Sequence, residues 1–123
     1  MNKLILRHFI CLTFPLLFTF ILAAAPIRHS LRMEAPHTHY FDVTTEVDIS
    51  ASAQKKKYVD FKMAAWTPGS YLIREFAKNV ERVQATVDGK KSSITKINKN
   101  TWRVAVSPGQ SKITLSYSVY AFE

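Results

Sequence analysis

The sequence predicts an all-β fold, either an antiparallel β-sandwich or a saddle-like open sheet of about six or seven strands, preceded by a hydrophobic leader. Apolar and polar residues alternate through most of the chain after residue 25. Turn-forming pairs such as Pro-Gly and Asp-Gly separate these alternating runs. No long segment carries the apolar stripe of a helix. Short, evenly spaced strands joined by tight turns are typical of sandwich folds.

The leader covers residues 1–25, MNKLILRHFICLTFPLLFTFILAAA, and has the basic start, apolar run and small-residue end of a secretory signal peptide. Its apolar run is shorter than the roughly 20 residues that a membrane span needs, and Pro15 interrupts it. The best cleavage position, after Ala25, is followed by Pro26, which generally obstructs signal peptidase. We expect export to the periplasm or the extracellular space, with membrane contact only if the leader stays uncleaved as an anchor.

The first half of the mature chain contains three strand-like runs. Residues 27–33 alternate weakly, and His37–Ile49 alternates cleanly. A polar stretch over residues 50–57 separates this run from a strand predicted over Tyr58–Trp66. The faces predicted to point inward consist of Phe41, Val43, Val47 and Ile49 on the second run, and Val59, Phe61, Met63 and Ala65 on the third.

The second half continues the pattern with tight connections. Val80–Val87 reads as a strand, and Asp88-Gly89 is a strong two-residue hairpin signal. A return strand carrying Ile94, a loop at 98–100, a short strand at 102–106 and a turn at 107–110 follow. The inward residues predicted here are Val83, Ala85, Val87, Trp102, Val104, Val106, Ile113, Leu115, Tyr117, Val119 and Ala121.

The last strand begins at Lys112 and is still alternating at Glu123, where the sequence stops. A domain that stops in mid-pattern is expected to leave its last strand as an exposed edge. We therefore expect residues 26–123 to form one β-domain that is incomplete at its C-terminal end.

Charge and cysteine content exclude some function classes. The formal net charge is +8, of which Lys3 and Arg7 in the leader contribute two. The remaining basic residues are dispersed, without an aromatic-interleaved stripe, so solvated loops are favoured over a nucleic-acid partner. The single cysteine, Cys11, lies in the leader, so the mature chain has neither a disulfide nor a Cys-based zinc pair.

The residues do not assemble a recognisable catalytic or metal site. His37 and His39 would share one face of a strand, but a catalytic zinc needs three protein ligands and no HExxH motif is present. Gly69-Ser70-Tyr71 is not the G-x-S-x-G nucleophile elbow. The carboxylates show no pairing suited to glycoside hydrolysis. We predict neither catalytic nor metal-binding residues, and no cofactor.

The stretch at residues 66–76, WTPGSYLIREF, is the candidate site. Pro68 fixes φ at the second position of a turn, and Gly69 can adopt the positive φ of the third, which together predict a type II turn. Trp66 and Tyr71 flank this turn, and each carries both an apolar body and a polar tip.

The residues after this turn are harder to place. Ser70 is a candidate cap for one or two helical turns before Asn79. Arg74 and Glu75 are adjacent, so in an extended segment they would face opposite ways. Two interpretations stay open: a packed corner in which Arg74 satisfies loop carbonyls, or a rigid loop presented to a ligand or a neighbouring domain.

Four stretches, in this order along the chain, resemble one known family. The most specific is WTPGSYLIREFAKNV at residues 66–80, and the others are PHTHYFDV at 36–43, KINKNTWRV at 96–104 and YSVYAFE at 117–123. They resemble the N-terminal domain of the glycyl aminopeptidase family of zinc metallopeptidases, the peptidase M61 type. The resemblance covers roughly residues 31–123.

This resemblance implies a β-rich N-terminal domain. In complete members it precedes a thermolysin-like catalytic domain, with zinc held by HExxH and a downstream glutamate, and commonly a PDZ-like domain. Such enzymes remove N-terminal residues from peptides and prefer glycine or alanine. None of the zinc ligands has a counterpart in this sequence, so the implied zinc belongs to the absent catalytic domain.

Two hypotheses follow. In the first, the chain is the non-catalytic N-terminal domain of an exported zinc aminopeptidase-like protein, truncated before its catalytic domain. It packs on that domain and helps to shape the cleft for a peptide substrate, through Trp66, Pro68, Gly69, Ser70, Tyr71, Arg74 and Glu75. In the second, it is a free-standing exported β-sandwich module that binds protein or glycan. In either case it is not an enzyme alone, because peptide hydrolysis at neutral pH needs an activated water.

Overall fold

The structure is a computed structural model that describes residues 27–50 and 56–122. These residues form eight strands and two 3₁₀ helices, without an α-helix among them. The predicted leader lies outside the described residues. Neither of the described helices is long enough or apolar enough to cross a membrane. The elements are β1 (Ile27–Arg32), η1 (Pro36–Thr38), β2 (Tyr40–Asp48), β3 (Tyr58–Lys62), η2 (Phe76–Asn79), β4 (Val80–Val87), β5 (Lys90–Ser92), β6 (Ile94–Asn98), β7 (Thr101–Ala105) and β8 (Lys112–Tyr120).

The larger sheet has five strands in the order β1-β2-β8-β4-β5, and all the pairs are antiparallel. The last strand, β8, lies at its centre and is paired with β2 on one side and β4 on the other. The expectation that the last strand would be an exposed edge is therefore wrong. A local pattern gives a strand's faces but not its neighbours, which depend on pairing across more than 60 residues, as between Asp48 and Lys112.

The smaller sheet has three strands in the order β3-β7-β6, also antiparallel. The structure has eight strands rather than the six or seven predicted, because one predicted strand is divided between the two sheets. The single return strand predicted around Ile94 is divided at Ser93, so that β5 stays in the larger sheet and β6 joins the smaller one. The Ala105 amide, which donates to the Ser93 carbonyl at 3.2 Å, fixes this crossover.

The core lies between the two sheets. Ile113 on β8 and Val104 on β7 are fully buried. Most strand faces predicted from alternation are confirmed, because the cluster consists of inward residues from both sheets. Ala121 is an exception, because β8 ends at Tyr120 and Ala121 is exposed. The buried members of the cluster are Ile49, Ala85, Val87, Val104, Val106, Ile113 and Leu115, with Val47, Val59, Phe61, Val83, Ile94 and Tyr117 packed against them.

Two predicted elements differ from the observed ones. The third strand ends at Lys62 rather than Trp66, because its partner β7 begins at Thr101, which pairs with Lys62. His37 lies in η1, which Pro36 begins, and His39 follows in the left-handed conformation with φ 59°. The two histidines therefore do not share the face of a strand as predicted.

Candidate interaction site at the Pro-Gly corner

The turn at Pro68-Gly69 has the predicted geometry. The Ser70 amide donates to the Thr67 carbonyl at 3.1 Å, and Gly69 has φ +83°. These are the hydrogen bond and the positive φ of a type II turn. The Ser70 hydroxyl accepts a long hydrogen bond from the Leu72 amide at 3.4 Å, and η2 is the only helix that follows among the described residues. Ser70 therefore does not cap a helix, and the predicted helical segment is reduced to the four residues of η2.

Four large apolar side chains around the turn point into solvent. Trp66 is 58 % exposed, Leu72 60 % and Ile73 75 %, and Tyr71 is fully exposed. We call these four residues the apolar tip. A contiguous group of exposed large apolar side chains is unusual on a monomeric domain and marks interaction surfaces. The corner is therefore not packed against its own domain at these positions.

The base of the corner is held by backbone hydrogen bonds. The Arg74 amide donates to the Ala65 carbonyl at 2.6 Å, which closes the loop between these residues. Below it, the Asn100 side chain donates to the Met63 carbonyl at 2.9 Å, and the Met63 amide donates to the Asn100 carbonyl at 2.8 Å. Asn100 thus continues the β3–β7 ladder by one more residue. The tip is consequently presented on a fixed base.

Arg74 and Glu75 follow the tip directly in sequence and border a recess next to it. Although an extended segment would point them in opposite directions, both border one recess of about 420 Å³ between the corner, η2 and the β6–β7 turn. Four basic residues surround it: Arg74, Lys78, Lys96 and Lys99. We call this the basic recess. Trp66, Gly69, Ser70 and Tyr71 border a separate hollow of about 320 Å³, so the predicted site is divided in two.

One ion pair spans the basic recess. The Lys99 ammonium donates to the Glu75 carboxylate at 2.8 Å. This hydrogen bond holds the pKa of Glu75 below its usual value, with a further contribution from the charge of Lys78, and it raises the pKa of Lys99. Lys96 places its ammonium 4.9 Å from the centre of the Trp102 ring. The Arg74 guanidinium has no hydrogen-bond or ion-pair partner among residues 27–50 and 56–122.

Sequence reasoning missed Lys78, Lys96, Lys99 and Asn100. The signal for Asn100 was the KINKNTWRV stretch, in which it stands next to the start of β7. Lys78, Lys96 and Lys99 also lie within the quoted stretches, but dispersed basic residues look alike until the fold brings them to one recess.

The described residues do not fit a zinc site. Nowhere in residues 27–50 and 56–122 do three histidine, cysteine, aspartate or glutamate side chains come close enough together to hold a metal ion. His39 instead packs its ring 4.5 Å from that of Phe122.

Comparisons with known proteins agree with the sequence motifs. A crystal structure of an aminopeptidase N family protein from Idiomarina loihiensis is similar, with a TM-score of 0.69 and 28 % sequence identity. The similarity covers 80 % of this chain but only 16 % of that protein. No curated protein matches the chain. The profile of the peptidase M61 N-terminal domain matches residues 28–123. The chain therefore belongs to the peptidase M61 N-terminal domain family, and the matched domain is the non-catalytic part of that peptidase-like family.

Proposed function

We propose that this domain serves an exported zinc aminopeptidase-like protein by packing its Pro-Gly corner on a catalytic domain and forming part of the wall of the peptide-substrate cleft. The exposed apolar tip carries this proposal. Trp66, Leu72 and Ile73 are each more than half exposed, on a base fixed by backbone hydrogen bonds. Covering them with a partner would remove a large apolar area from water, which stabilises the complex by about 25 cal/mol per Å² before association costs.

The residue types of the corner support an interface. Tryptophan, tyrosine and arginine are the residues most enriched at the energetic centres of protein interfaces, and the corner displays Trp66, Tyr71 and Arg74 within nine residues. The length of the similar aminopeptidase N family protein also supports a partner domain, because this chain covers 16 % of it. Export of the protein rests on the leader at residues 1–25.

The test is a binding measurement in trans. The chain is mixed with the catalytic region of a full-length family member that lacks its own N-terminal domain, and the dissociation constant and the turnover of a glycyl peptide are measured. Tyr71→Ala is expected to weaken the complex about tenfold or more, because it removes a fully exposed aromatic anchor.

Tyr58→Ala is the matched control, since Tyr58 is 46 % exposed but lies on the smaller sheet. It should leave the dissociation constant within about twofold, as expected for a residue outside the interface. Equal losses for both variants would contradict the proposed interface. Absence of any complex, together with binding of the chain alone to a protein or glycan, would favour the free-standing binding module instead.

A further inference from the structure

We propose that the basic recess is a docking site for carboxylate side chains from an acidic segment of the same catalytic domain, with Arg74 as the principal contact. This inference rests on the proposed function, since it names the chemistry of the partner at one part of that interface. The recess is continuous with the corner, because Ile73 borders both the recess and the hollow at the turn.

An unpaired charge at Arg74 would be costly to bury in such an interface. Ile73 belongs to the apolar tip, and Arg74 follows it directly. Both residues border the basic recess, so a partner segment that covers Ile73 there also removes water from Arg74, whose guanidinium has no partner among the described residues. Burying a charge without a counter-charge is costly, so such an interface needs an acceptor from the partner. A carboxylate is the acceptor that matches the guanidinium in charge and geometry, through two parallel hydrogen bonds.

The electrostatic field inside the recess also favours an acidic partner. Four cations border it, whereas Glu75 is the only carboxylate among the described residues that line it, and Lys99 already engages Glu75 at 2.8 Å. The formal charge of the bordering residues is therefore strongly positive. Ionic strength screens exposed charges over about 8–10 Å, so their attraction for an acidic segment adds up within a recess of this size.

The shape and lining of the recess suit a segment that carries apolar as well as acidic side chains. Its volume of about 420 Å³ is large enough for a few side chains of a partner segment. Ala64, Ala65, Phe76 and Ala77 add apolar surface between the charges. A segment in which acidic and apolar side chains alternate fits this combination better than a purely acidic one.

The direct test uses the ¹⁵N-labelled chain and a short blocked peptide of alternating glutamate and leucine. Amide chemical-shift changes are expected to concentrate at residues 74–78 and 96–100. The matched control is the Lys90-Lys91 pair on β5, which has adjacent charges but does not border the recess. Equal shifts at Lys90-Lys91, equal binding of a glutamine–leucine peptide, or no localised shift would overturn the proposal.

Two substitutions should change the affinity in opposite directions. Arg74→Gln should weaken binding of the glutamate–leucine peptide about tenfold, because it removes a charge-assisted pair of hydrogen bonds. Glu75→Gln should strengthen binding about two- to fivefold, because Lys99 is then free to pair with the peptide. A gain of affinity cannot arise from unfolding, so it separates recognition from loss of structure. No change in either variant would overturn the proposal.

The same variants in the trans complex separate this inference from the proposed function. If Tyr71→Ala disrupts the complex while Arg74→Gln leaves both its affinity and its salt dependence unchanged, the docking of carboxylates is wrong and the interface stands. If no complex forms at any salt concentration, the proposed function fails and the assignment of the recess to the catalytic domain fails with it.

Discussion

Two glycine-containing turns of this domain differ in what surrounds them. Gly89 closes the β4–β5 hairpin with φ +77°, and Gly69 bends the corner with φ +83°. At the hairpin, the Asp88 carboxylate accepts hydrogen bonds from the Ser111 hydroxyl at 2.8 Å and from the Lys112 amide at 3.0 Å. At the corner, the large side chains face solvent. Residues at the hairpin thus stabilise the fold, whereas the side chains of the corner are available for contact with a partner.

The largest expected effect is the loss of stability when a core side chain is truncated, compared with the same truncation in the apolar tip. Ile113→Ala removes a fully buried core side chain from β8, the strand between β2 and β4, and we expect it to lower the free energy of unfolding by about 3 kcal/mol through lost burial and a residual cavity. Ile73→Ala, at a side chain that is 75 % exposed, should change it by less than about 0.5 kcal/mol. Urea unfolding, followed through the buried Trp102 in a Trp66→Phe background, measures both.

A comparable loss of unfolding free energy in the two variants would mean that the tip is packed as part of the core. The corner would then stabilise the fold as the hairpin does, and the difference between the two turns would disappear. The Trp66→Phe background is needed because the chain has two tryptophans, of which only Trp102 is buried.

Local patterns were sufficient for the features that depend on nearest neighbours in sequence. Alternation predicted the inward faces of β2, β4 and β8, because a strand's side chains have a period of two. Asp88-Gly89 predicted the hairpin, and both residues adopt the positive φ that a type I′ turn requires. Pro68-Gly69 predicted the turn at the corner for a similar reason, since each turn type demands particular backbone angles.

Features that depend on distant neighbours could not be predicted. Nothing local indicates that β8 is central, or that the return strand divides at Ser93 between two sheets. The bulge in β4 is another example: Arg82 has φ 53° and donates to the Ser118 hydroxyl at 3.1 Å, across 36 residues. The basic recess belongs to this class as well, because its lysines come from η2, β6 and the β6–β7 turn.

The second prediction tests whether the two turns differ in backbone as well as in surroundings. Gly69→Ala and Gly89→Ala each force a side chain into the left-handed region, which costs about 1 kcal/mol. An added Cβ would meet nothing within 4 Å at either position, so no steric clash adds to this cost. We therefore expect equal losses in urea unfolding. A much larger loss at Gly69 would mean that the corner stabilises the fold through contacts beyond its turn.

The smallest expected loss of stability comes from removing the charge of Asp88 at the hairpin. Hydrogen bonds from the Ser111 hydroxyl and from the backbone amides of Ser111 and Lys112 hold the pKa of Asp88 below its usual value of 3.8. A carboxyl whose pKa is lowered by folding contributes stability that is fully present above its unfolded pKa and is lost as the pH falls through its folded pKa. Asp88→Asn should therefore reduce stability at pH 7, by less than the glycine substitutions because the carboxylate is exposed to solvent.

Asparagine tolerates the positive φ that residue 88 adopts, so this substitution keeps the turn and removes only the charge. The pKa values of Asp48, Asp60 and Glu75 are also lowered, so both proteins lose stability in acid. Only the difference between them reports on Asp88. We expect that difference to begin to shrink as the pH falls below about 4, where the carboxyl of the unfolded chain takes up its proton, and to disappear below the lowered pKa of the folded protein. A difference that stays constant from pH 7 into acid would mean that the Asp88 side chain supports the hairpin through its shape, because a contribution from its charge has to disappear on protonation.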